Sequence, residues 1–165
     1  MIDSQKKTIK WGIIGAGRIA QTFATDIQYA GHASLQGIAS RQVDPAKVFA
    51  EEFSVPNYYG SYAAMLADPA IDAVYIATPH SHHRDQSIAA LNAGKHVLCE
   101  KPATVTGAEL EDVITVAKQQ GRYFMEGMWT FFMPVIQKTK RWVDEGRIGQ
   151  LCHVKADFGF PLPYD

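Results

Sequence analysis

Hydrophobic positions change period repeatedly along the chain, and each change predicts a switch between strand and helix. The first apolar run ends at Ile14 and leads into Gly15-Ala16-Gly17. Ile19, Phe23 and Ile27 then recur at i, i+4 and i+8, which predicts a helix over 18–29 with those three side chains against a sheet. A second strand is predicted over 34–40. Asp44-Pro45 reads as an N-cap followed by a first-turn proline, opening a helix to about Phe53. A short extended piece at 57–59 precedes Ser61, the expected cap of a helix over 62–67 that Asp68-Pro69 stops.

Residues 71–77 form a nearly continuous apolar run, the pattern of a parallel strand covered on both faces. A helix is predicted over 81–92 with Gly94 as its C′ residue, then a strand over 96–99. Thr106-x-x-Glu109 is a capping box for a helix to about Gln119, and 123–128 reads as another strand. Met133-Pro134 opens a last helix with Val135, Ile136, Thr139, Trp142 and Val143 on one face. Gly146 ends it. Residues 151–160 alternate, with Cys152, Val154, Ala156 and Phe158 on one side, as in a strand of an open sheet. The fold class expected is α/β: a doubly wound, mainly parallel Rossmann sheet over 1–128 with helices on both faces. Residues 129–165 are expected to supply a linker helix and the first strand of an incomplete α+β second domain.

Composition narrows the function. The chain has 165 residues, enough for one sizeable core, and its formal net charge of -1 lacks the basic excess of a nucleic-acid binder. No apolar run reaches the roughly 18 residues of a membrane span, and the first residues lack a signal peptide's apolar segment. Cys99 and Cys152 fall in predicted strands without metal-ligand spacing, so no metal and a reduced, cytoplasmic setting are expected.

Four segments end where such a sheet binds ligands. Gly15-x-Gly17-x-x-Ala20, between a strand and a helix, has the spacing that receives a dinucleotide diphosphate on free backbone N–H groups. A purely structural glycine turn is the alternative. Ser40-Arg41 follows the second strand, where an acidic residue would favour NAD(H). A guanidinium there pairs with a 2′-phosphate, so NADP(H) is preferred, while a solvated arginine would admit NAD(H) as well. In Thr78-Pro79-His80-Ser81-His82-His83, Pro79 would wall the nicotinamide end and His83 hold backbone or cofactor groups. His80 and His82 read equally well as solvating a helix terminus, and the trio has no clear zinc partners. In Glu100-Lys101-Pro102, Lys101 could hydrogen-bond a substrate oxygen and stabilise charge developing there; from spacing alone a surface ion pair is as good a reading.

Together these segments resemble the Gfo/Idh/MocA oxidoreductase family. The stretches that carry the likeness are Gly15-Ala-Gly17-Arg-Ile-Ala20, Ala77-Thr78-Pro79-His80-Ser-His-His83 and Ala93-Gly94-Lys95-His96-Val97-Leu98-Cys99-Glu100-Lys101-Pro102. Met125-Glu126-Gly127-Met128-Trp129-Thr130 looks most like the dihydrodiol dehydrogenase / D-xylose dehydrogenase branch, which generally uses NADP(H). The resemblance implies hydride transfer between a nicotinamide and a secondary alcohol or carbonyl of a sugar, polyol or dihydrodiol, with Lys101 catalytic. It implies cofactor contacts from Gly15, Ala16, Gly17, Arg18, Ile19, Ser40, Arg41, Thr78, Pro79, His80, His83, Glu100, Lys101 and Trp129.

Two departures stand out. His80 replaces an Asn common among relatives, and Phe131 replaces the branch's usual Arg. The family's second domain supplies the substrate pocket, a His or Tyr acid/base expected downstream of Asp165, and a sheet through which a homodimer would pair. The alternative expectation is a dinucleotide-binding module or enzyme fragment without turnover.

Overall fold

A computed structural model describes residues 7–159. The chain divides into two units, Met1–Met128 and Trp129–Asp165. In the first, six parallel strands form one sheet in the order β3-β2-β1-β4-β5-β6. They are β1 Ile9–Ile14, β2 Ala33–Ala39, β3 Asn57–Tyr59, β4 Ala73–Ile76, β5 His96–Cys99 and β6 Phe124–Glu126. Five helices connect them: α1 Arg18–Asp26, α2 Val43–Phe53, α3 Tyr62–Leu66, α4 His83–Asn92 and α5 Gly107–Gln120. This is the doubly wound Rossmann fold, with helices flanking the sheet.

Two buried clusters pack on the sheet. One joins Ile13, Ile38 and Tyr75 to Ala20 and Ala24 of α1 and Phe49 of α2. The other joins Ile14, Val74, Ile76 and Val97 to Leu91 of α4 and Val113 of α5. Ile13 and Ile14 of β1, and consecutive residues of β4, therefore face opposite cores, which is why β4 and the end of β1 are apolar. Gly12 makes room within β1: a Cβ there would lie 2.9 Å from the Met65 sulfur.

Local signals account for most boundaries. Thr106 Oγ1 accepts from the Glu109 N–H, and the Glu109 carboxylate accepts from the Thr106 N–H, completing the capping box of α5. Gly121 closes that helix at φ 60°. Ser61 caps α3 by accepting from the Ala64 N–H.

Three expectations require correction. Ile19 does not face the sheet; it is 43% exposed, while Ala20, Ala24 and Ile27 are buried with Phe23 partly so. The small alanines let α1 lie close to the strands and turn the face by one residue. Asp44 does not cap α2, because the helix begins two residues earlier than expected, at Val43, with Gln42 in the N-cap position. Residues 151–159 form no strand. Alternation gives a strand only where a neighbour completes its hydrogen bonds, and no such neighbour occurs for them among the described residues. Phe160 lies outside the described residues.

The amino ends of β4 and β5 are fastened together by Lys95. Its buried Nζ donates to the carbonyl oxygens of Asp68, at 2.6 Å, and Ile71, at 2.8 Å. Burial pushes the Lys95 pKa down from its ordinary value. In the second unit, α6 Pro134–Asp144 follows a 3-10 turn at Trp129–Phe132, with Pro134 in its first turn. Among the described residues, no helix is long and apolar enough to cross a membrane.

Candidate functional site

Strand order reverses between β1 and β4, so the crevice between their carboxyl ends is where a ligand fits this sheet. A cleft of about 700 Å³ opens there, lined by Gly15, Ala16, Gly17, Ser40, Arg41, Thr78 and Pro79. Gln42, Pro45, Tyr62, Ala77, His82 and Gln86 complete it. Of these six, His82 lies within the expected segment 78–83, where it read equally well as solvating a helix terminus, and Gln42 and Ala77 adjoin expected segments. Nothing in the local sequence pointed to Gln86, which reaches the cleft from within α4.

The glycines of the turn differ in what they do. Gly15 has φ 97°, and a Cβ on it would lie 2.9 Å from Thr78 Cγ2 and 3.2 Å from the Ala77 carbonyl oxygen. Glycine is required there by the fold itself. Gly17 has extended backbone, and the nearest atom to a Cβ on it is the Ala77 carbonyl oxygen at 4.0 Å. The space that a side chain would take at Gly17 is cleft space. Gly17 is also the N-cap of α1 without a side-chain cap, and no acidic residue lies in the first turn. The helix therefore presents backbone N–H groups and its positive end to the cleft, an arrangement that fits a dinucleotide diphosphate.

At the carboxyl end of β2, the Ser40 hydroxyl donates to the Gln42 carbonyl oxygen at 2.6 Å and accepts from the Gln42 N–H at 3.2 Å. Ser40 thus shapes the loop, and its hydroxyl is engaged. Arg41 is exposed, lines the cleft and has no ion pair among the described residues. Among the described residues it is a free cation at this end of the cleft.

Past β4, the Thr78 hydroxyl donates to Gln86 Oε1 at 2.5 Å. His83 is buried beneath; its ring nitrogens lie 2.8 Å from the carbonyl oxygens of Thr78 and Pro102. His80 and His82 are exposed in a 3-10 turn ahead of α4. No group of three His, Cys, Asp or Glu residues could hold a metal among the described residues.

The end of β5 is braced from below. Tyr75 donates to Glu100 Oε1 at 2.6 Å, and the Lys101 N–H donates to Glu100 Oε2 at 3.1 Å. Burial, reinforced by the carboxylate, drives the Tyr75 phenol pKa far above its ordinary value. Because backbone and phenol occupy Glu100, the Lys101 ammonium is left exposed and without an ion pair among the described residues. The Lys101–Pro102 peptide is cis. Arg18, Ile19, His80, His83, Glu100 and Lys101 do not line the cleft itself. Trp129 belongs to the second unit, where it meets Phe158 edge-on at 6.4 Å.

Comparison with known proteins adds the chemistry of relatives. The Gfo/Idh/MocA family model, described as oxidoreductase family with an NAD-binding Rossmann fold, matches residues 9–128. The trans-1,2-dihydrobenzene-1,2-diol dehydrogenase of Mus musculus is 37% identical over 158 residues, covering 94% of this chain and 47% of that protein. The chain thus spans about half the length of the curated relatives it matches. The Lactobacillus casei scyllo-inositol dehydrogenase, solved with NAD(H) and scyllo-inositol, is 35% identical with a TM-score of 0.79, over 87% of this chain and 43% of that one. A mutant of the 3-ketoreductase KijD10 from Actinomadura kijaniata, solved with TDP-benzene and NADP, is 34% identical with a TM-score of 0.80, over 87% and 46%.

Proposed function

Since the chain belongs to the Gfo/Idh/MocA oxidoreductase family, we propose that its cleft binds NADP(H) in preference to NAD(H). We propose also that the whole protein oxidises a secondary alcohol, or reduces the matching carbonyl, of a sugar, cyclic polyol or dihydrodiol. The observation that carries the first part is the pairing of an uncapped α1 terminus at Gly17 with an unpaired Arg41 in one cleft. The first suits a diphosphate and the second a further phosphate on the ribose. Solved relatives hold NAD(H) in one case and NADP in another, so the choice rests on residues 40–42 of this chain.

When bound, the nicotinamide supplies the hydride donor or acceptor. The chain's own residues hold and orient it. The first turn of α1 would neutralise the diphosphate, Thr78 and Pro79 would wall the path beyond it, and Arg41 would anchor the adenosine end. Lys101 is the residue proposed to meet the substrate oxygen, donating a hydrogen bond and stabilising negative charge there as hydride moves. The polyol class is supported by the dihydrodiol and inositol dehydrogenases among the relatives.

Titration of the protein with NADPH and NADH, followed by calorimetry, tests the binding. Tighter binding of NADPH is the expected result. Binding of neither would overturn the reading of the cleft, and equal binding would overturn the preference.

A further inference from the structure

We propose that His83 is a positioning residue that sets the nicotinamide end of the cleft by clasping two segments through their backbones. The inference rests on the dinucleotide reading above.

Its geometry is specific. His83 is only 1% exposed, so its ring is not available as a ligand contact at the surface. One ring nitrogen lies 2.8 Å from the carbonyl oxygen of Thr78, in the wall of the cleft. The other lies 2.8 Å from the carbonyl oxygen of Pro102, the residue after Lys101. The two segments leave adjacent parallel strands, β4 and β5, just where their ladder ends. Beyond the last paired residues, Ile76 and Cys99, the Glu100 N–H still donates to the Ile76 carbonyl oxygen at 3.0 Å. After that, His83 is the side chain that spans from one segment to the other among the described residues. A carbonyl oxygen only accepts, so the clasp is complete only with a proton on each ring nitrogen, and an aliphatic side chain at 83 would remove every donor between the two carbonyls.

The direction of the cleft tells which part of a ligand this clasp affects. The lining runs from Arg41, past Gly15 and Gly17, to Thr78 and Pro79. With the 2′-phosphate at Arg41 and the diphosphate at α1, the nicotinamide falls at the Thr78 end. His83 therefore governs the far half of the cofactor and leaves the adenosine half alone.

The test compares NADPH with 2′-phospho-ADP-ribose, which lacks the nicotinamide, on wild type, His83→Leu and His83→Gln. Calorimetry gives the ratio of the two affinities, and thermal melting gives stability. Loss of the clasp should weaken NADPH at least tenfold in His83→Leu, with the truncated ligand changed less than twofold. His83→Gln keeps a donor on the Thr78 side only, so its ratio should fall about threefold. Equal weakening of both ligands would mean a purely structural role and overturn the proposal. An unchanged ratio in His83→Gln would overturn it even if His83→Leu fails to fold. If the wild type binds neither ligand, the dinucleotide reading itself falls, a result distinct from failure of the clasp.

Discussion

The phenol of Tyr75, in the middle of the sheet, donates to the carboxylate of Glu100 at 2.6 Å, and so ties the core to the segment carrying Lys101. Phe23 of α1 stacks on the Tyr75 ring with centroids 4.0 Å apart. The helix that follows the glycine turn and the loop that follows β5 thus rest on one aromatic side chain. Tyr75→Phe keeps the stacking and removes one charge-assisted hydrogen bond. Its expected cost is about 1–3 kcal/mol, read from the midpoint and slope of urea denaturation.

Gly15 and Gly17 should separate fold from ligand. Gly15→Ala places a Cβ against Thr78 at positive φ, and should lower stability by about 1–3 kcal/mol. Gly17→Ala should cost no more than about 1 kcal/mol, the N-cap preference for Gly over Ala, while weakening NADPH. If both variants lose stability alike, the space at Gly17 belongs to packing and not to a ligand.

The fold is largely legible in the sequence, because its punctuation is chemical. Thr106 with Glu109, Ser61, Pro134 and the αL glycine at Gly121 each act within a few residues of themselves. The site was legible only in part. Gly15, Gly17, Arg41, Thr78 and Pro79 lie in the cleft, but Tyr62 and Gln86 arrive from elements whose neighbours are set by strand order. His83 stood out in the sequence, yet its partners are backbone carbonyls, which no side-chain pattern reveals. Ile19 fits the apolar period yet lies outside the contact face, because the smaller Ala20 and Ala24 bring α1 closest to the sheet. The alternation over 151–159 was true as a pattern but had no strand beside it to make it a sheet.

Cofactor choice should follow Arg41. Arg41→Asp replaces an unpaired cation by an acid that repels phosphate and accepts ribose hydroxyls. A shift toward NADH of about 1–3 kcal/mol is expected, checked by titrating both nucleotides. Ser40→Ala is a different perturbation, because the hydroxyl braces Gln42.

Acid should expose the Tyr59–Asp68 pair. Asp68 accepts from the Tyr59 hydroxyl at 2.5 Å and from the Ala70 N–H at 2.7 Å, which hold its carboxyl below the ordinary 3.8. Its folded pKa is lowered, so its stabilisation is present above pH 3.8 and is lost as pH falls through the folded value. Asp68→Asn should flatten the acid limb of a stability–pH curve measured by denaturation. On the alkaline side, burial and Asp68 push Tyr59 up to about 12, so its share is lost as pH rises from 10 through that value.

The two thiols should react on different clocks. Cys99 is fully buried in β5 and burial pushes it up to about 12, whereas Cys152 is exposed. A disulfide reagent at pH 8 should modify one thiol quickly in the native protein and the second only on unfolding. Prompt modification of both would contradict the packing of β5.

Lys95 gives the sheet two ends with different freedoms. Its ammonium binds the run-in to β4 from the turn before β5, on the side away from the cleft. The rim around Arg41, Thr78 and Lys101 lies at the opposite margin, so side-chain changes there leave this tie between the two strands in place.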